Sequence, residues 1–205
     1  MEIFKLVVPP LDNNVYIVYD KEVREGYIID VGLGANELSL YVKNHKIKIL
    51  GILLTHAHID HTAHAFTLKK LINSKVMIHY ADYDLLKDFF KRDYPYIDEK
   101  LEFDEPDYLF KGGEEFKFGK YKLVVIETPG HTPGSVCFYE ENEKVLFSGD
   151  TLFAGTYGRV DFPYSDEDKM KESLRKLARL PKEVKVYPGH YEETKLEYEY
   201  WLEEI

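Results

Sequence analysis

At 205 residues, with 44% hydrophobic and 15% aromatic content, the chain can bury a full core, and its single cysteine, Cys137, excludes an intramolecular disulfide framework. A net charge of −10, from 27 basic against 37 acidic residues, argues against a large nucleic-acid footprint. No uncharged stretch approaches the ~18 residues of a membrane span, and the first residues lack the basic start and apolar segment of a secretory signal. A reducing, cytoplasmic setting is therefore expected. Lysine and glutamate dominate the charge and glutamine is absent, a composition compatible with a thermophile.

Residues 5–8, 15–19 and 27–30 read as three short strands separated by a proline-asparagine turn and a charged turn. Asn36 is expected to cap a two-turn helix over 37–44. The run 47–54 is nearly all apolar, as in a strand buried on both faces. Directly after it, His56-Ala57-His58-Ile59-Asp60-His61-Thr62-Ala63-His64 gathers four of the chain's eight histidines and an aspartate. Imidazole and carboxylate suit zinc and its neighbours. His56 and His58, two apart on an extended exit, can converge on one ion, while Asp60 and His61 point elsewhere, toward a second. The spacing is not that of two histidines sharing one helix face. These ligands are expected on the loop between the strand and the next helix.

Helical spacing follows over 63–72, then a strand at 76–79 and a helix over 82–92 that Asp93-Tyr94-Pro95-Tyr96 ends. Residues 97–107 are acidic and irregular, a candidate flap or a plain surface excursion. A β-rich half comes next, with strands at 115–118, 121–127, 135–139 and 144–148 and hairpin turns at 119–120 and 140–143. Residues 165–180 form an amphipathic helix, with Ser165 and Asp168 as a variant capping box. A strand at 184–187 and a terminal helix over 192–204 complete the chain. No linker or composition break interrupts it, so 1–205 is expected to be a single domain of two β-plus-α halves.

Three further turns close apolar runs: Thr128-Pro129-Gly130-His131-Thr132-Pro133-Gly134, Phe147-Ser148-Gly149-Asp150, and Tyr187-Pro188-Gly189-His190. Taken singly, a histidine or aspartate at a strand end is more often structural. Leaving His64 aside, the four turns together supply five histidines and two aspartates, a count that fits two metal ions sharing one carboxylate, with positions open for water and substrate.

With these motifs in order, the chain resembles the metallo-β-lactamase superfamily, and within it the small glyoxalase II-like (hydroxyacylglutathione hydrolase-like) proteins. Residues 55–61 match its signature, and the likeness runs from about Val15 to Tyr191. It implies an α/β fold, a four-layer αβ/βα sandwich of two mixed β-sheets flanked by helices. It also implies that His56, His58 and His131 hold one ion, that Asp60, His61 and His190 hold another, and that Asp150 bridges them. Asp60, His61 and Asp150 would then be catalytic, with hydroxide shared between two divalent ions as nucleophile. Zinc is the first choice of metal, with iron or manganese as alternatives. The implied reaction is hydrolysis of a small-molecule thioester, or a related ester, by a monomer or homodimer, with no nucleic-acid or membrane partner. Three other readings are weighed: a mononuclear iron persulfide dioxygenase using His56, His58 and Asp150 or a similar subset, a phosphodiesterase or ribonuclease, and a non-catalytic structural or interaction protein.

Thr55, Thr132 and Ser148 are candidates to orient ligands, or ordinary turn caps. Gly158-Arg159-Val160-Asp161-Phe162-Pro163 resembles the glyoxalase II-like and persulfide dioxygenase branches, and Arg159 and Asp161 are expected to pair and brace their loop. His64 stands where the family has a small residue, as a packing histidine or as a contact to substrate or metal. Substrate would be enclosed by Phe153, Tyr157 and Phe162 and by the 89–96 segment, with few cationic partners. Full-length glyoxalase II adds a C-terminal helical domain beyond the last metal ligand, so weak glutathione binding is expected.

Overall fold

The computed structural model describes residues Met1–Ile205. Its elements are β1 (Glu2–Val8), β2 (Asn13–Asp20), β3 (Glu25–Ile29), α1 (Ala35–Asn44), β4 (Lys48–Leu53), α2 (Ile59–Thr62), α3 (Ala65–Ile72), β5 (Val76–His79) and α4 (Tyr83–Phe89). There follow β6 (Tyr108–Phe110), β7 (Glu115–Phe118), β8 (Tyr121–Glu127), β9 (Val136–Glu140), β10 (Val145–Gly149), α5 (Glu167–Leu177), β11 (Lys185–Pro188) and β12 (Thr194–Lys195).

The strands form two six-stranded sheets, ordered β1-β2-β3-β4-β5-β6 and β12-β11-β10-β9-β8-β7. Both are mixed. In the first, β3, β4, β5 and β6 run parallel after an antiparallel start; in the second, only β10 and β11 are parallel. Side-chain alternation assigns the layers. Tyr16 and Val18 of β2 and Val136 and Phe138 of β9 meet in a core between the sheets, with Tyr27, Phe116 and Phe147. Val15 and Ile17 turn the other way, onto Leu38 of α1, Phe66 of α3 and Leu86 of α4. Cys137 and Tyr139 likewise turn onto Met170, Leu174 and Leu177 of α5. The result is helix, sheet, sheet, helix, the four-layer sandwich that the sequence resemblance implies. No helix is long and apolar enough to cross a membrane.

Several local expectations are corrected. Asn36 caps nothing: α1 starts at Ala35 after Gly34, with no side-chain cap, and the Leu38 amide bonds the Gly34 carbonyl. The helix expected over 63–72 is α3, which starts at Ala65, and a separate one-turn helix, α2, precedes it, so Asp60 and His61 sit on that turn of helix rather than on a loop. The helix expected over 82–92 is shortened to α4, behind a 3₁₀ turn at Tyr80–Asp82, because the Asp82 carboxylate is drawn to amides elsewhere. Asp166, not Ser165, caps α5: its carboxylate accepts from the Lys169 amide, while the Ser165 hydroxyl donates to the His131 carbonyl. The terminal helix is absent. Thr194 pairs with β11, and the buried Glu199 carboxylate accepts from the Gly155 amide, the Thr194 hydroxyl and the Trp201 indole, folding 196–203 into two 3₁₀ turns.

Candidate metal centre

Four strand ends meet at one edge of the sandwich: the exit of β4, the β8–β9 turn, and the ends of β10 and β11. They bring His56, His58, Asp60, His61, His131, Asp150 and His190 into one cluster. Three subsets lie with their donor atoms within 4.8 Å of one another: His56, His58 and His131; His56, His61 and Asp150; Asp60, His61 and His190.

Each of four rings is held by its outer nitrogen, leaving the inner one aimed into the cluster. His61 Nδ1 donates to Asp30 Oδ2 at 2.9 Å, and His131 Nδ1 to the Arg159 carbonyl at 2.7 Å. His58 Nε2 meets the Tyr164 hydroxyl at 2.7 Å. The Thr55 hydroxyl donates to Asp30, so its oxygen accepts from His56 Nδ1 at 3.0 Å. Asp30 thus orients two of the histidines, one directly and one through Thr55. Asp82 does the same for backbone, accepting from the Ala57 and Gly134 amides and the Thr132 hydroxyl, which ties the His56–His58 turn to the His131 turn. At the fourth corner Asn14 Nδ2 donates to the Pro188 and Tyr191 carbonyls on either side of His190.

A tetrahedral ion with bonds of 2.0–2.1 Å to nitrogen separates its donors by about 3.3 Å. His56 Nε2 and His131 Nε2 lie 3.0 and 2.8 Å from His58 Nδ1. In the other group His190 Nε2 is 3.2 Å from both His61 Nε2 and Asp60 Oδ2, and His61 Nε2 is 3.6 Å from Asp60 Oδ2. Asp150 faces both groups, its Oδ1 3.4 Å from His61 Nε2 and its Oδ2 3.5 Å from His131 Nε2. Asp150 Oδ1 is buried without a hydrogen-bond partner, a costly state for a carboxylate oxygen that a cation there would relieve. Gly189 leaves the room, since a Cβ there would collide with Asp150 Oδ1 and come within 2.7 Å of His61 Cε1. The donor set and its spacing fit two cations.

Burial, then the neighbouring imidazoles, hold His56 and His58 well below the ordinary histidine range, so both are neutral with lone pairs free. Burial opposes protonation of His61 too, but the carboxylates of Asp150, Asp60 and Asp30 outweigh it and lift the ring to about 10. Burial would raise Asp60, yet His61 and His190 bring it below its usual value.

A cavity of about 690 Å³ opens over the cluster, walled by Phe89, Tyr94, Phe153, Phe162 and Tyr164. Of the residues expected around substrate, Phe153, Phe162 and Arg159 line it, as do Tyr94 and Tyr96 of the 89–96 segment. Tyr157 does not: its ring packs near Trp201, with centroids 6.0 Å apart. Arg159 makes a bidentate pair with Asp161, at 2.9 and 2.8 Å. Thr132 bonds Asp82 and Ser135, and Ser148 donates to the Leu152 carbonyl, so both brace turns. His64 joins none of the metal-ligating groups; its Nε2 is bonded to Glu99 at 2.9 Å, pinning the 97–107 segment. Cys137 is buried, and burial pushes its thiol up to about 11.

Sequence reasoning missed Asp30, Asp82, Tyr164 and Arg92. Asp30, which closes an apolar strand as Asp150 does, carried a usable signal; Asp82 and Tyr164 carried none, and Arg92 lies in the 89–96 segment expected beside the substrate without having been singled out. Arg92 and Arg159 line the cavity, in keeping with the expectation of few cationic partners.

The sequence profile of the metallo-beta-lactamase superfamily matches residues 8–190. An uncharacterised protein of Aquifex aeolicus is 36% identical over 188 residues, covering 91% of this chain and 88% of its own length. Hydroxyacylglutathione hydrolase GloC of Haemophilus influenzae is 32% identical over 197 residues, 93% of this chain and 91% of that protein. The crystal structure of TTHA1623 in a di-iron-bound form superposes with a TM-score of 0.84 at 33% identity, covering 96% of each chain. With the profile spanning nearly its whole length and the fold shared, this chain belongs to the metallo-beta-lactamase superfamily.

Proposed function

We propose that the cluster is a dinuclear metal centre that hydrolyses a thioester, of the S-2-hydroxyacyl kind. His56, His58 and His131 would hold one ion and Asp60, His61 and His190 the other, with Asp150 between them. The observation that carries this reading is the inward convergence of six other donors around Asp150, whose buried Oδ1 has no partner. The hydroxyacylglutathione hydrolase relative supports the substrate class, and the di-iron-bound neighbour makes iron a candidate beside zinc and manganese.

Two cations held there would supply a bound water acidified toward neutrality and a Lewis acid for the carbonyl. The rest falls to the chain's own residues. Asp150, with one oxygen facing each group, would be the carboxylate shared between the two ions. Asp30 and Thr55 hold the imidazoles in the tautomers that present lone pairs inward. Phe89, Phe153 and Phe162 exclude bulk water from the reacting carbonyl, which strengthens the electrostatics inside. A thiol leaves readily as thiolate, its pKa near 8.5, so a thioester asks no proton of the site.

The test is elemental analysis of protein purified without chelator, paired with hydrolysis of S-lactoylglutathione. One to two equivalents of zinc, iron or manganese and metal-dependent thioester cleavage are expected. Less than a tenth of an equivalent with no gain on reconstitution, or oxygen uptake on glutathione persulfide without thioester cleavage, would overturn the proposal.

A further inference from the structure

The cavity carries two guanidinium groups, and they differ in one respect. Arg159 spends its Nε and one terminal nitrogen on Asp161, so its charge is neutralised in place. Arg92, just past the end of α4, is exposed at the cavity and makes no side-chain hydrogen bond or ion pair with the protein. It is nevertheless positioned. Its guanidinium carbon sits 4.7 Å from the centroid of the Phe89 ring, a cation–π contact that holds the side chain against the wall. The same ring lies 5.4 Å from the His58 imidazole. The guanidinium and the metal cluster are thus no farther apart than those two distances summed, within the span of about three extended residues.

The charge around it points the same way. The chain as a whole is acidic, at −10. Inside the cavity, two divalent ions would outweigh the carboxylates of Asp60 and Asp150, leaving a positive hole in a negative surface, which concentrates field lines on an entering anion. Arg92 adds to that hole at its outer end, where its planar fork of donors suits a carboxylate.

We propose that Arg92 is a specificity-determining residue that binds a carboxylate on the substrate, at the end remote from the scissile carbonyl, so that the preferred substrates are anionic thioesters. The inference rests on the thioester reading above and adds to it the charge of the substrate and the residue that selects it. A carboxylate could be carried on the thiol portion or on the acyl portion, and the two are separable by assay.

The experiment uses the metal-loaded full chain and three thioesters: lactoyl mercaptobutyrate, lactoyl mercaptobutyramide, and succinyl mercaptobutyramide. The wild type should favour one of the two anionic compounds over the neutral one in kcat/KM. Arg92→Gln should lower that preference by about tenfold, the size of one exposed charge-assisted hydrogen bond, mostly through KM. Arg92→Glu should lower it further, and added salt should shrink it in the wild type but not in Arg92→Gln. Whichever anionic compound loses its advantage identifies the side that carries the carboxylate. A second arm needs no turnover: calorimetric binding of S-propyl mercaptobutyrate, a thioether that cannot be cleaved, should weaken about tenfold in Arg92→Gln. A preference within twofold of wild type in both variants overturns the proposal, as does thioether affinity unchanged in Arg92→Gln when the turnover series places the carboxylate on the thiol portion. Failure to cleave any thioester, with the Arg92-dependent binding intact, would instead fall on the thioester reading alone.

Discussion

Asp82→Ala tests the claim that a buried carboxylate away from the ions holds the site together. Asp82 is fully buried and accepts from the Ala57 amide at 2.8 Å, the Thr132 hydroxyl at 2.7 Å and the Gly134 amide at 2.6 Å. Alanine would orphan both amides, each at about 1–3 kcal/mol, while the Thr132 hydroxyl keeps Ser135 Oγ at 2.7 Å. Removing a buried charge returns part of this, since burial raises the Asp82 pKa and so opposes its ionised form. A net loss of about 3 kcal/mol is expected. Asp82→Asn should lose roughly half as much, about 1.5 kcal/mol, because one oxygen still accepts while its amide group faces a donor. Urea unfolding of the metal-free protein is the proper assay, so that weakened ion binding does not enter the difference. Metal analysis of the same variant should show fewer equivalents, because the turns carrying His56, His58 and His131 lose their tie. A stability loss below about 1 kcal/mol with full metal content would refute the reasoning.

Asp150→Ala is expected to cost more than about four powers of ten in kcat and to lower metal content at both positions, whereas His64→Ala, at a histidine bonded to Glu99, should keep its metal and lose less than about tenfold in kcat; a full equivalent lost on His64→Ala would show that histidine to be a ligand. Gly189→Ala should fold yet bind less than half the wild-type metal, because its Cβ would press on Asp150 and on His61 Cε1; wild-type content by elemental analysis would contradict this. In the ion-free protein His61, lifted to about 10, keeps its proton at neutral pH, so an ion entering the Asp60, His61 and His190 group must displace it. A raised pKa means that low pH opposes binding, and affinity at that group should climb about tenfold per pH unit toward pH 10. His56 and His58, already neutral, impose no such slope; calorimetric titration across pH that finds one flat profile for both ions would refute the assignment.

Local chemistry determined much that was legible in the sequence. Residues 15–19 and 135–139 read as strands from their composition, and the backbone's two-residue period then sorts Val15 to Tyr19 and Val136 to Tyr139 between core layers. The seven clustered donors were legible as well, because imidazole and carboxylate at the ends of buried strands have few structural uses in such density. What the sequence could not show is how those strand ends meet. Asp30, Asp82 and Tyr164 reach their partners across 25 to 106 positions of chain, and no spacing rule connects residues so distant. The last segment shows the converse. Its helical periodicity from Glu192 onward is overridden by Thr194 joining β11 and by Glu199 collecting three buried donors, because satisfying those groups outweighs the small preference for helix. Tyr157, expected on the substrate wall, instead packs near the Trp201 ring that this refolded segment brings in. Arg92 owes its place on the cavity wall to the packing of Phe89 beside His58, a contact between the end of α4 and the turn after β4 that no local spacing announces.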